Sequence, residues 1–314
     1  MQIKFFVVVL LALLFSPRLT KAQAVDAQIA AARSLLNRGM LPEAESAIRQ
    51  YLKDHADSAD AHYLLGYALF RQAKAAASLA EYTEGAKYRK PSAADLQVVG
   101  SDYVVLGDLP DADKWFTKSV EWNPDSALGW YYLGRTKYNE NRFDEAVDAF
   151  QRCLKLDPRH VKAEDNLGLS YQALGRREEA LQAYRNAIDW QADAKMKNPG
   201  PFIDLGGLFL EMNQPEKAVE PLQKAIEIAS NDPKAHQQLG KAYFNLNDLP
   251  KALPELEKAA QLAPNNAPAH YILAQAYRKQ GWQDKAKAEF DRYTKLNAAH
   301  SVSDGANDSK IRND

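Results

Sequence analysis

The sequence predicts an all-α fold, a solenoid of about eight helix-turn-helix hairpins. Its first basis is a ladder of small residues at a constant step of 34, interrupted by one four-residue insertion: Ala32, Gly66, Gly100, Gly134, Gly168, Gly206, Gly240 and Ala274. A second ladder, of alanines with one serine, follows twelve residues later, from Ala44 to Ala286. A bulky apolar residue stands four residues after each of these, from Ile48 to Phe290. Self-similarity at such a period is typical of helical-repeat proteins.

Each hairpin is predicted to have a first helix with the Gly or Ala rung and a second helix with the Ala rung. Small side chains at both rungs allow the two antiparallel helices to approach closely, so we expect the glycine to meet the alanine. A residue such as Leu133, just before Gly134, and the bulky residue of the second helix fill the space on either side. One hairpin cannot bury both of its faces, so stacked neighbours should form a continuous core.

The turns are predicted by residues that tolerate a left-handed backbone. They recur where each first helix must end: Gly39, Gly107, Asn141, Gly175, Asn213, Asn247 and Gly281. The second hairpin has neither Gly nor Asn between Arg71 and Ala77, which predicts an irregular connection. The fifth hairpin carries the insertion, and the Asn-Pro-Gly-Pro sequence at 198–201 predicts an ordered break before the sixth.

These ladders resemble the tetratricopeptide repeat, a 34-residue unit with a W-LG-Y-A-F-P pattern. The resemblance extends from Val25 to about His300, as repeats at 25–58, 59–92, 93–126, 127–160, 161–198, 199–232, 233–266 and 267–300. It implies a right-handed superhelical solenoid whose first helices line a concave groove. It also implies that a protein or peptide binds in that groove.

The first 24 residues read as a secretory signal peptide. Lys4 supplies a positive charge, an apolar run extends from Phe5 to Phe15, and Ala22 and Ala24 fit a small-x-small cleavage site. The run is shorter than the roughly 20 residues that span a bilayer as a helix, which favours cleavage over the alternative of a retained anchor. We therefore expect a periplasmic or secreted bacterial protein, with no stable membrane span after cleavage. Residues 301–314 are polar and are predicted to be disordered.

Charge argues against nucleic acid as a partner. Without Lys4, Arg18 and Lys21, 37 of the 40 basic residues remain against 41 acidic ones, a formal charge of −4. A mildly acidic chain in which acidic and basic residues are interspersed has no basic surface that would attract a phosphate backbone. The one cysteine, Cys153, cannot form an internal disulfide, so packing alone must stabilise the fold.

The sequence predicts no enzyme, no cofactor and no metal site. The G-x-S-x-G elbow, the phosphate loop, H-E-x-x-H and paired C-x-x-C motifs are all missing. Cys153 stands on a rung held elsewhere by alanine, which indicates a buried packing residue rather than a nucleophile. His62, His236 and His270 share one register, but Trp130 occupies it too and no carboxylate or cysteine accompanies the pattern. Half-buried core histidines are therefore favoured over metal ligands.

Candidate binding residues lie on the first helices, three residues before and one and four residues after the small rung. The eight residues predicted to bind a partner are Tyr63, Tyr67, Tyr131, Arg135, Gln237, Lys241, Tyr271 and Gln275. Asp165 shares this lining in the fifth repeat. Aromatic, amide and basic groups suit an extended peptide or a helix with acidic side chains. The alternative is a solvated helix face with scattered tyrosines.

These observations favour a scaffold or adaptor that binds a peptide or protein in a concave groove, in the bacterial cell envelope. The alternative is a non-catalytic regulatory or structural subunit of an envelope enzyme complex, such as exopolysaccharide, peptidoglycan or secretion machinery. The repeat pattern names neither the partner nor the pathway, because one fold serves many functions.

Overall fold

The computed structural model describes residues 21–311, with side chains placed from residue 27 to residue 299. Within that range the chain forms sixteen α-helices and no strand, which confirms the all-α fold class. The helices are α1 Lys21–Asn37, α2 Leu41–Asp54, α3 Ala59–Arg71, α4 Ala75–Ala86, α5 Ala93–Leu106, α6 Leu109–Trp122, α7 Ala127–Asn139, α8 Phe143–Leu156, α9 Val161–Ala173, α10 Arg177–Trp190, α11 Gly200–Glu211, α12 Pro215–Ile228, α13 Pro233–Asn245, α14 Leu249–Leu262, α15 Ala267–Gln280 and α16 Gln283–Ile311.

The helices pair in sequence into hairpins, and the hairpins cluster into two compact units. Each odd-numbered helix is the first helix of a hairpin and packs on the even-numbered helix that follows it. Unit 1 contains α1–α6 and ends at Trp122, whereas unit 2 begins at Asn123 and contains α7–α16. Polar caps start several first helices. The side chains of Ser58, Ser92 and Ser126 each accept a hydrogen bond from the backbone N–H three residues later.

The turns inside the hairpins use the left-handed backbone. All seven residues predicted for this role have φ between 55° and 87°. The prediction of an irregular connection in the second hairpin is wrong, because Ala73 adopts the same conformation with φ of 56°. Its N–H donates to the Phe70 carbonyl at 2.8 Å, and the Lys74 N–H donates to the Leu69 carbonyl at 3.0 Å. These bonds, which recur at Asn141, offset the roughly 1–2 kcal/mol that the left-handed conformation costs a residue with a Cβ.

The small rung of the first helix lies against the bulky side chain of the second helix. A Cβ added to Gly168 would lie 2.6 Å from Cε1 of the Tyr184 ring, and one added to Gly134 would lie 2.7 Å from Cε1 of Phe150. We expected the alanine of the second helix to be the nearest neighbour, and that detail is wrong. The missing Cβ makes room for a ring, and both rings are completely buried. Close approach of the two helices therefore depends on glycine at these rungs.

A buried histidine joins three segments of the second hairpin. Nδ1 of His62 lies 2.7 Å from Oε2 of Glu81 on the second helix, and Nε2 lies 3.0 Å from the carbonyl oxygen of Ala56 in the preceding loop. The arrangement recurs in unit 2, in the pairs His236–Glu255 and His270–Glu289. The three rings are buried, which confirms that they belong to the core. The prediction that no carboxylate accompanies these histidines is wrong, because a glutamate nineteen residues later on the second helix pairs with each of them.

The histidine–glutamate pairs do not assemble into a larger cluster of ligands. Within residues 21–311, no group of three or more His, Cys, Asp or Glu side chains is placed to hold a metal ion. Both ring nitrogens of each histidine already have a partner in the protein. Each histidine therefore connects the two helices of its hairpin with the loop that precedes them.

The inserted segment between α10 and α11 is held by one buried side chain, Gln191. Its amide nitrogen donates to the carbonyl of Asn198 at 3.0 Å, and its Oε1 accepts from the N–H of Asn198 at 2.6 Å. The side chain of Asn198 accepts in turn from the N–H of Gly200 at 3.0 Å, where α11 begins. The ordered break predicted from Asn-Pro-Gly-Pro is confirmed.

The structure describes the two ends of the chain only in part. Helix α16 is described as far as Ile311, into the tail 301–314 whose disorder stays a prediction. No proline stops the helix, and Ala298 and Ala299 favour its continuation. The predicted signal peptide, residues 1–24, lies outside the described residues except for the first turn of α1, so its cleavage stays a prediction. None of the helices described is long and apolar enough to cross a membrane.

Replacing Gly206 with alanine should lower the free energy of unfolding by about 1–3 kcal/mol, because overpacking a full core forces its neighbours to shift. The new Cβ would lie 2.5 Å from Cγ of the completely buried Leu222. Gly207, on the same helix, offers a matched control, since its Cβ would meet only the end of the Gln238 side chain at 3.0 Å. Gly207→Ala gains about 1 kcal/mol of helix propensity and should be neutral or stabilising. Urea denaturation of both variants checks this, and equal stabilities would contradict the close packing of the rung.

Replacing His236 with phenylalanine should cost about 1–3 kcal/mol, because Glu255 and the carbonyl of Ser230 lose their hydrogen-bond partner. A phenylalanine ring should fit at this position, since Phe202 occupies the same register in the preceding hairpin. Adding Glu255→Ala should recover part of the loss, because it removes one of the orphaned groups. The measurement is a double-mutant cycle by chemical denaturation. Strictly additive losses would mean that the histidine and the glutamate do not stabilise each other.

Candidate functional site

The first helices form the concave side of each unit. Consecutive first helices contact one another, from α1 through α3 to α5 in unit 1 and from α7 through α9, α11 and α13 to α15 in unit 2. Among the helices described, no two second helices contact each other. The first helices are therefore closer together than the second helices, and each unit curves toward them. We call the exposed side of the first helices the inner surface of a unit.

The inner surface of unit 1 contains a cavity of about 320 Å³. Charged and aromatic side chains line it, among them Arg33, Asp60, Tyr67 and Asp95. The predicted binding residue Tyr67 is half-buried there. The cavity wall thus combines aromatic rings with groups of both charges.

Tyr63 is a packing residue of unit 1, contrary to the expectation that it projects away from the core. Its side chain is 5% exposed, and its ring stacks on Tyr82 with the centroids 5.7 Å apart. The hydroxyl donates to the backbone carbonyl of Arg89, whose guanidinium carbon lies 4.9 Å from the ring centroid. Burial raises the pKa of Tyr63. The position three residues before the rung faces the connection to the next hairpin, which buries most of Tyr63, although the residue still lines the cavity of unit 1.

Tyr131 repeats this correction in unit 2. It is 7% exposed, and its ring centroid lies 4.9 Å from that of His160 and 6.2 Å from that of Phe150. His160 caps the start of α9, so the tyrosine fills the seam between two successive hairpins. Burial raises the pKa of Tyr131. Arg135, one turn later on α7, is exposed and places its guanidinium carbon 5.8 Å from the centroid of the Tyr131 ring.

The other predicted residues of unit 2 lie at or near its surface. Lys241 is exposed, Tyr271 is 39% exposed, and Gln237 and Gln275 are half-buried. Oε1 of Gln237 accepts a hydrogen bond from Nδ2 of Asn266 at 2.8 Å, which holds that amide in place. The role of these side chains in binding stays a prediction, but their positions leave them within reach of a ligand.

The structure of unit 2 brings together a cluster of ionisable side chains that the sequence does not predict. Asp165 on α9 shares the register of the predicted residues, whereas Asp204 on α11 and Lys234 on α13 lie in two other registers. Nζ of Lys234 donates to Oδ1 of Asp204 at 2.6 Å, across thirty residues of sequence. Burial of Asp165, together with the nearby charge of Asp204, raises the pKa of Asp165 to about 8. Only the stacking of three hairpins brings these groups together.

The thiol of Cys153 is unsuited to nucleophilic chemistry. The side chain is completely buried, which confirms the predicted packing role. Burial raises the pKa of Cys153 to about 12, so the thiolate is scarce near neutral pH.

Family comparison agrees with the hairpin architecture along most of the chain. Four family models described as tetratricopeptide or TPR repeats match it, one at residues 29–94 and another at 127–160. The third matches 165–193 and 267–300, and the fourth matches 206–247 and 240–281. The matches thus fall in both units.

Known proteins resemble parts of the chain. The PEX5-related protein of Homo sapiens is 34% identical over 82 residues, which are 26% of this chain and 13% of that protein. The peroxisomal targeting signal receptor of Kluyveromyces lactis is 33% identical over 109 residues, 32% of this chain and 19% of that protein. This chain spans less than a third of the length of the curated relatives that it matches.

A solved structure shares the fold over a longer range. The crystal structure of a tetratricopeptide repeat protein from Parabacteroides merdae superimposes with a TM-score of 0.64 at 17% identity. The superposition covers 81% of this chain and 99% of that one. Identity at this level shows a common fold and nothing about the ligand.

Proposed function

We propose that this chain, which belongs to the tetratricopeptide-repeat family, is a non-catalytic scaffold that binds a segment of another protein along the inner surfaces of its hairpins. The observation that carries the proposal is the composition of the inner surface of unit 2. Arg135, Lys241 and Tyr271 are exposed on three first helices whose spacing is set by packed cores beneath them. Such a row presents separate anchor points to a ligand that runs across several helices.

The exposed groups define the chemistry of the segment. Arg135 and Lys241 provide charged donors for carboxylates, and Tyr271 provides apolar area with a polar tip. The amides of Gln237 and Gln275 are able to donate to and accept from a peptide backbone. Rigid helices hold these groups before the ligand arrives, so binding costs little ordering of the scaffold.

The relatives support a short segment as the ligand. The Kluyveromyces lactis relative is named as the receptor of a targeting signal. We infer that the present chain also recognises a short stretch of its partner rather than a whole folded surface.

We propose further that the protein is exported to the bacterial cell envelope. Lys4, the apolar run from Phe5 to Phe15 and the alanines at 22 and 24 support a cleaved signal peptide. The single cysteine, which cannot form an internal disulfide, is compatible with that compartment because packing supplies the stability.

The mature protein is expected to begin at Gln23 or Val25, because cleavage follows the second small residue of the recognition pattern. Mass spectrometry of the protein purified from its native host measures this directly. Replacing both Ala22 and Ala24 with leucine should block cleavage and leave a longer species in the membrane fraction. An intact Met1 on protein from the soluble cytoplasm would contradict export.

Photo-crosslinking in the native host should trap the partner from the inner surfaces. A photoreactive phenylalanine analogue at Tyr67, Lys241 or Tyr271 is expected to give crosslinks to one protein, identified by mass spectrometry. The matched control places the analogue at Gln182 and Lys224, which are exposed on the second helices α10 and α12. Crosslinks from the control positions alone would mean that the protein acts through its outer face.

Alanine substitutions should separate binding from stability once that partner is known. Lys241→Ala should weaken binding by about 1–3 kcal/mol if it is an anchor, with an unchanged melting temperature. Tyr271→Ala should weaken binding similarly, with a small loss of melting temperature because its ring also packs on Phe290 and Tyr293. Tyr131→Ala should instead lower the melting temperature, because it empties a buried site. Calorimetry with the purified partner and thermal denaturation supply the two measurements.

A further inference from the structure

Three ionisable side chains from consecutive first helices meet in unit 2, two of them buried and one at the surface. Asp165 is 6% exposed and Asp204 is 9% exposed, whereas the side chain of Lys234 is 57% exposed. Lys234 therefore reaches Asp204 from the solvent side, with Nζ 2.6 Å from Oδ1. The charges of Asp204 and Lys234 both act on Asp165, which places the three groups in one cluster.

One oxygen of this cluster lacks a partner. Oδ1 of Asp165 is buried and accepts no hydrogen bond from the described part of the chain. An unpaired buried polar atom costs about 1–3 kcal/mol, so a donor that reached this oxygen would be stabilising. The start of α11 lies beside the carboxyl, since a Cβ added to Gly200 would be 3.0 Å from Oδ2. Gly200 has no side chain that could donate a hydrogen bond to Asp165, and its backbone N–H donates to the side chain of Asn198.

The charges around Asp165 do not balance. Tyr131 of α7 and Tyr184 of α10 face it as neutral phenols, and α11 and α13 contribute Asp204 and Lys234. When Asp165 and Asp204 are both ionised, Lys234 neutralises only one of them, and the cluster carries a net charge of one negative unit. Without a ligand, a proton on Asp165 compensates for that charge near neutral pH, because burial raises the pKa of Asp165 to about 8.

The missing component is a positively charged hydrogen-bond donor. A calcium or magnesium ion needs more oxygen ligands than two carboxylates provide, and no third acidic or histidine ligand joins them among the residues described. A lysine or arginine side chain supplies both charge and N–H donors through a long apolar stem. Asp165 lies in the same register as the buried Tyr63 and Tyr131, three residues before the small rung, so it is a polar group at a position that other first helices fill with a ring.

We propose that Asp165 and Asp204 form the acceptor for one lysine or arginine side chain of the segment bound on the inner surface of unit 2. This deepens the proposed function and rests on it. Lys234 neutralises Asp204, so the incoming cation pairs with Asp165 and displaces its proton to solvent. The partner segment would then carry a basic residue at a fixed place, between the acidic residues that Arg135 and Lys241 favour.

A random dodecapeptide display library tests the proposal on the whole mature protein. Peptides selected on the wild type should share a lysine or arginine at a constant position, and selection on Asp165→Asn should lose that preference. The matched control is Asp148→Asn, on the exposed face of α8, which should select the same basic position as the wild type. Asparagine has the size of the neutral aspartic acid, so the variant should keep its melting temperature.

Affinity measurements on one selected peptide complete the test. Asp165→Asn should weaken binding at least about tenfold, as loss of a buried charge pair does, while Asp148→Asn should leave it unchanged. Replacing the basic residue of the peptide with the neutral citrulline should weaken binding to the wild type similarly, without relying on any protein variant. Both changes together should cost little more than either one.

The outcomes separate the two proposals. Selected peptides that bind without a fixed basic residue, or that bind Asp165→Asn and the wild type equally, overturn the acceptor site and leave the scaffold function intact. Failure of the wild type to select any peptide overturns both.

Discussion

The close approach of the two helices in each hairpin is the constraint on which the rest of the structure depends. Gly134 and Gly168 have no Cβ, and the rings of Phe150 and Tyr184 occupy the space that it would fill. The contact sets both the distance between the helices and their rotation about their own axes. Once the rotation is set, each remaining position on a first helix faces the core, the next hairpin or the inner surface.

Stacking of the hairpins uses the positions next to this contact, and it places structural and accessible residues one helical turn apart. On α7, Tyr131 is buried against His160 of the next hairpin, whereas Arg135 is exposed. The guanidinium of Arg135 lies over the ring of Tyr131, so the buried ring supports the exposed charge. Stability and recognition are therefore coupled through neighbouring residues, and a change in the seam alters the surface that a ligand meets.

Polar groups in the interior of the two units differ in how well they are paired. Both ring nitrogens of His62 have partners, Glu81 in its own hairpin and the carbonyl of Ala56 in the preceding loop, and Asp204 is paired with Lys234. Oδ1 of Asp165 has no partner in the described chain, although it is buried as deeply. Native sequences agree with their fold at most positions and depart from that agreement mainly at functional sites. The unpaired oxygen belongs to a first helix of unit 2 and is the acceptor that we propose for a basic side chain of the ligand.

The sequence by itself determined the elements whose causes are local. The 34-residue ladder, the apolar face of each helix and the left-handed Gly and Asn positions depend on neighbours in the chain, and the structure confirms all of them. The left-handed conformation of Ala73 could not be predicted from the sequence, because hydrogen bonds impose it and alanine itself does not favour it. The exposed binding candidates Arg135, Lys241 and Tyr271 also followed from helical periodicity alone.

Only the tertiary structure decided which neighbour covers each face. The burial of Tyr63 and Tyr131, the glutamate partners of the histidines and the meeting of Asp165, Asp204 and Lys234 all depend on how one hairpin stacks on the next. Periodicity specifies the direction in which a side chain leaves its helix, but it carries no information about the distance or rotation of the adjoining hairpin. Those quantities arise from packing across interfaces between residues that are distant in sequence.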